Sequence, residues 1–145
     1  MEKNLYKEYF RTLKYYLTIL NVDKGKGLIG CTEEEIDSIK SKKENFPLAY
    51  EEYLRSIGKK FLFEFMDAED MAFEDLDYIN EFANDVFENN SITLENEFLI
   101  LSERRNDYIS LIFTKEENPA VWIMSECWDE VREKIYLLEQ NHLLI

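Results

Sequence analysis

The stretch from Gly30 to Gly58 constrains the fold most, because its punctuation marks the limits of two helices. Thr32 followed three residues later by Glu35 is a capping box, in which hydroxyl and carboxylate each accept a backbone N–H that a helix start leaves unpaired. Such a cap is worth about 1 kcal/mol, so a helix is predicted from Glu33. A second helix is predicted from Pro47, whose missing N–H costs nothing in a first turn. Its apolar residues Tyr50, Tyr53, Leu54 and Ile57 recur at helical spacing. Gly58 is expected to end it, in the left-handed conformation that helix C-termini commonly adopt.

Further along, Phe61 to Phe65 reads as a strand with aromatic residues at alternate positions, and Glu69 to Asn89 turns to a helical period through Leu76, Ile79, Phe82 or Ala83, and Val86. Phe98 to Leu101 and Tyr108 to Phe113 are predicted to form an antiparallel hairpin, with Ala120 to Met124 returning as a third strand. Cys127 to Gln140, with Trp128, Val131, Ile135 and Leu138 at helical spacing, is expected to close the chain as a helix. At the other end, residues 4 to 20 place Leu5, Tyr9, Leu13, Tyr16, Leu17 and Leu20 on one face and Lys3, Lys7, Arg11 and Lys14 on another, the pattern of a surface helix packed on a core. The loop from Asp23 to Gly30 is expected to be a flexible connector, since no Gly-Lys-Ser/Thr closes it as a phosphate loop.

The order Gly-x-Thr-Glu-x-x-Ile, a short polar helix, then Pro-x-x-Tyr-x-x-Tyr-Leu-x-x-x-Gly resembles the SUKH superfamily. The strand-like segments after it, and Asn118-Pro119-Ala120-Val121-Trp122, add to the likeness. Members of that superfamily include bacterial immunity proteins and a fungal regulator of cell-wall synthesis. The resemblance implies a non-enzymatic binding role: an immunity protein that sequesters the toxin domain, nuclease or deaminase, of a polymorphic or contact-delivered toxin. Its alternative is a regulatory or scaffold module that binds host proteins. The architecture expected from residues and resemblance together is α+β, one domain over 1–145, with an antiparallel sheet of about four to six strands packed with helices.

Charge is segregated. Between Lys60 and Arg104 there is no Lys or Arg, yet this segment holds thirteen carboxylates and supplies nearly all of the net charge of −14. The candidate partner-binding residues are Asp67, Glu69, Asp70, Glu74, Asp75, Asp77, Tyr78, Glu81, Asp85 and Glu88. An acidic face keeps a helix solvated and a protein soluble; it also attracts a basic partner and rejects others. In the nuclease case it imitates a phosphate backbone and occupies a basic cleft. Direct nucleic-acid binding is disfavoured, because phosphate contacts need Lys and Arg clusters and Arg104-Arg105 alone is too small.

No catalytic residue, metal or cofactor is expected. Asp67 to Asp77 lacks the glycine and alternating spacing of a calcium loop, which leaves a carboxylate-dependent metal hydrolase as the third and weakest reading. His142 stands near the end among apolar residues, a poor place for a general base. Cys31 and Cys127 make no CxxC pair and are expected to be reduced, and the carboxylates Glu33 to Glu35 oppose activation of the Cys31 thiol. Tyr50, Tyr53, Trp122 and Trp128 read as core, whereas Tyr78 beside Asp77 reads as surface. No charged n-region with an apolar h-region opens the chain and no apolar run approaches membrane-spanning length, so a cytoplasmic location away from membranes is expected. Oligomeric state is left open.

Overall fold

The computed structural model describes residues 2–20, 28–59, 73–104, 108–126 and 135–140. The predicted strand over 61–65, Asp67, Glu69, Asp70, Cys127, Trp128 and His142 all lie outside them. Among the described residues, four α-helices, α1 (Glu2–Ile19), α2 (Glu33–Lys40), α3 (Leu48–Ile57) and α4 (Leu76–Asn89), precede four strands, β1 (Phe98–Arg104), β2 (Tyr108–Phe113), β3 (Val121–Glu126) and β4 (Ile135–Gln140). The strands form an antiparallel sheet in the order β1-β2-β3-β4. The fold is α+β.

Both helix starts in the Gly30 to Gly58 stretch follow from local chemistry. Thr32 Oγ1 accepts from Glu35 N, and Glu35 Oε2 accepts from Thr32 N at 2.8 Å, completing the capping box. Pro47 is the residue before α3 and its carbonyl accepts the first intrahelical bond, from Glu51 N. Tyr50, Tyr53, Leu54 and Ile57 are all buried.

The predicted reason for Gly58 is corrected. Its φ of −82° is right-handed, so no left-handed turn requires a glycine there. Space does: a Cβ at position 58 would lie 2.6 Å from Leu54 Cα. Gly30 is tighter still, since a Cβ there would sit 1.8 Å from the Arg55 carbonyl oxygen. The end of the expected flexible connector is therefore pinned against α3. Cys31 N donates to Leu54 O at 2.8 Å and Lys59 N to Ile29 O at 3.1 Å, and Leu28 and Cys31 are buried.

Alternate residues of the sheet feed two cores. Leu99, Leu101, Ile112 and Val121 pack with Phe10 of α1, Ile36 of α2 and the buried face of α3. Ile100, Ile109, Leu111 and Met124 pack with Ile79, Ala83 and Phe87 of α4. Because β1 and β2 are covered on both faces, they read as continuous apolar runs instead of alternating ones. A register shift between Ile100 and Ser102 leaves Leu101 without a partner of its own on β2 and sets Ser102 opposite Ser110, as a β-bulge does. Beyond it the hydroxyls of Ser102 and Ser110 bond to each other in the interior.

Two expectations about faces and elements change. In α1 the core side is Tyr6 and Phe10, flanked by Tyr9, Leu13 and Leu17, while Leu5, Tyr16 and Leu20 are exposed. The Phe10 ring meets Tyr53 of α3 at 6.2 Å, and seating these aromatics turns the helix away from the leucine stripe. At the far end, residues 135–140 are strand β4 instead of the end of a helix. All six pair in register with β3, from Val121↔Gln140 to Glu126↔Ile135. An open edge on β3 leaves a row of backbone groups to satisfy, and that requirement overrides a helical spacing carried by four residues.

Candidate partner-binding face

Helix α4 divides its residues cleanly. Ile79, Ala83 and Phe87 are buried at successive four-residue steps, with Leu76, Phe82 and Val86 packed beside them. The outer side then carries Asp77, Glu81, Asp85 and Glu88, all exposed, with Asn84 also exposed and Tyr78 half exposed at 50%. Among the described residues no ion pair reaches any of these four carboxylates. Glu74, in the 3-10 turn Phe73–Asp75 before α4, is exposed as well.

Not every acidic residue of the segment belongs to this row. Asp75 is half-buried and near enough to α3 that its charge is one of the influences raising the Tyr53 phenol, after burial, Tyr50 and Cys31. Glu103 is buried in β1. Glu97 is committed to structure, accepting Glu44 N at 2.8 Å, Asn45 N at 2.9 Å and Thr114 Oγ1 at 2.6 Å. The Thr114 hydroxyl, then the Asn45 and Glu44 amides, hold its carboxyl below the usual carboxylate value.

The C-terminal end of α4 is shaped by a Schellman motif. Ser91 sits at φ 55°, its N–H donates to Glu88 O at 3.2 Å, and Ile92 N donates to Phe87 O at 2.9 Å. Ile92 and Phe87 share a core, the apolar contact that accompanies this motif. The chain then doubles back alongside the helix and leaves an open groove of about 480 Å³. Phe87, Ile92 and Leu94 supply its apolar part, and Asn84, Glu88, Ser91 and Thr93 its polar rim. The predicted helical period ends at Asn89, and the apolar Ile92 three residues later was the available signal that the chain folds back.

A second charged cluster was also missed. Arg55 of α3 donates through Nε to Glu33 Oε1 at 2.6 Å and through Nη2 to Glu33 Oε2 at 3.1 Å. Its Nη1 reaches Glu52 Oε1 at 2.6 Å and its Nη2 Glu51 Oε1 at 2.9 Å. Lys40 Nζ donates to the other Glu51 oxygen at 3.1 Å. Glu51 and Glu52 are buried. Burial raises the Glu51 carboxyl, but hydrogen bonds from Arg55 and Lys40 with their charges outweigh it and leave the group below its ordinary value. The spacing Glu51-Glu52-x-x-Arg55 was the local signal, since residues three and four apart share a helix face. The cluster ties α2 to α3.

No family model, curated protein or solved structure matches this chain. Among the described residues, no group of three His, Cys, Asp or Glu side chains is arranged to hold a metal ion, and no helix is long and apolar enough to cross a membrane. The Cys31 thiol is pushed up to about 12 by burial, then by the Glu35 charge, so it is no nucleophile at neutral pH. Tyr50 and Tyr53 are core residues, and Trp122 is packed against the α4 core. What the outer side of α4 can do is present a row of negative charge, flanked by one exposed aromatic ring, to a positively charged surface.

Proposed function

We propose that the chain is a non-enzymatic binding protein of the immunity type. It neutralises a cognate toxin domain by laying the acidic side of α4 over that domain's basic active site. One observation carries this reading: Asp77, Glu81, Asp85 and Glu88 line the exposed side of one helix with no cation set among them. Like charges at i, i+4 destabilise a helix by about 0.2–0.5 kcal/mol a pair, and carboxylates in the last turn oppose the helix dipole. A surface serving solubility alone gains more from mixed signs. A one-sign row fits a partner of the opposite sign, for which complementary potential sets association rate and selectivity. The sequence resemblance to SUKH immunity proteins supports the same reading.

The test is co-expression. The cognate basic toxin domain is expected to arrest growth when expressed alone, and co-expression of the wild-type protein to relieve the arrest. The variant Asp77→Asn/Glu81→Gln/Asp85→Asn/Glu88→Gln should fold but give no relief. Affinity capture of host envelope or regulatory proteins, equal for wild type and variant, would overturn the immunity reading in favour of the scaffold alternative.

A further inference from the structure

The groove at the end of α4 lies at the foot of the acidic row and pairs apolar residues set into the protein with polar ones on its surface. In its lining Phe87 is buried and Ile92 and Leu94 are half-buried, whereas Glu88, Asn84, Ser91 and Thr93 are exposed. At about 480 Å³ it has room for one long side chain. Its position at a helix C-terminus adds negative potential to that of Glu88. Apolar below and anionic above suits a side chain with an apolar stem and a cationic head. Between the two such side chains, arginine matches better: its fork presents five donors in a plane, pairs bidentately with a carboxylate, and leaves donors for an amide oxygen and hydroxyls. Lysine would bring a point charge that keeps its water.

We propose that this groove seats one arginine side chain of the basic partner, stem against Ile92 and Leu94 and guanidinium on Glu88. The inference rests on the reading of α4 as a partner-binding face and adds its anchor. An anchored arginine would act as a hot spot, fixing register along a row whose charge alone is permissive.

Two peptides of equal charge test it on the full chain at low salt: acetyl-Lys-Lys-Lys-Arg-Lys-Lys-Lys-amide and its all-lysine counterpart, titrated while backbone amide shifts are followed by NMR. Both are expected to shift α4 amides. The arginine peptide should bind at least fivefold more tightly and alone shift Ile92, Thr93 and Leu94. Thr93→Trp, which crowds the groove from the side away from α4 without changing charge, should abolish the preference while keeping lysine-peptide binding; Glu88→Gln should abolish it independently, and spectral dispersion reports that each variant is folded. Equal affinity for the two peptides, with residues 91–94 unmoved, would overturn the anchor and leave the acidic-face reading standing. If neither peptide shifted α4, the acidic-face reading would fall and the anchor with it.

Discussion

Ser91 occupies left-handed space at φ 55° without being a glycine, while its N–H completes the Schellman motif. The left-handed conformation costs an L-residue about 1–2 kcal/mol, partly offset here by the greater chain entropy glycine would lose. Ser91→Gly is accordingly expected to stabilise the protein by about 0.5–1 kcal/mol, read as a rise in urea midpoint at unchanged slope. Glu97 is the opposite kind of residue, holding three donors from two distant segments. Glu97→Gln should destabilise by about 1–2 kcal/mol at neutral pH. Since the folded carboxyl lies below its ordinary value of 4.5, its stabilisation is present above that pH and lost as pH falls through the folded value. The gap between wild type and variant should therefore close in acid; a pH-independent gap in urea titrations would contradict this.

Between elements, α2 and α3 are joined by Arg55 and its carboxylates. Arg55→Ala takes the shared guanidinium from the buried Glu51 and Glu52 and leaves Glu51 with Lys40, and removing one partner of a buried pair costs about 3–5 kcal/mol. About 3 kcal/mol is expected, because the guanidinium is itself 25% exposed. Without Arg55 the raising effect of burial on Glu51 is opposed by Lys40 alone, so the loss should be largest at neutral pH and shrink as Glu51 protonates. Thermal unfolding at pH 7 and pH 4 separates the two. On α4, Asp85→Asn/Glu88→Gln removes like-charge neighbours and charge at the negative end of the helix, and should raise stability by about 0.3–1 kcal/mol while weakening partner binding. How far these elements were legible depends on how local their causes are. The capping box and the α3 stripe are written within a few residues, and the outer row of α4 follows from its apolar spacing. Strand β4 depends on the open edge of β3, the face of α1 on the Tyr53 ring, and the need for Gly30 on a carbonyl more than twenty residues away. None of these has a local mark. The groove was half legible: its helix side followed from period, its far wall from a fold-back that only Ile92 announced.

For the molecule as a whole, a net charge of −14 on 145 residues makes self-repulsion a term in stability. Salt screens it, with a Debye length that falls from about 30 Å at 0.01 M to about 8 Å at 0.15 M. The thermal midpoint is expected to rise between those ionic strengths, and the rise should be smaller in the four-site neutralised variant. An unchanged or falling midpoint would mean that the acidic residues are compensated elsewhere in the chain. The same screening should slow association with a basic partner, so folding and binding respond to salt in opposite directions.

The split of α4 into an inner side of Ile79, Ala83 and Phe87 and an outer side of Asp77, Tyr78, Glu81, Asn84, Asp85 and Glu88 makes recognition and folding separately editable. A library randomised only at the six outer positions would be expected to consist mostly of folded members, each displaying a different surface from one rigid helix. Selection on such a library could redirect the protein to new targets without repacking its interior, and two chains differing only there could ignore each other's partners.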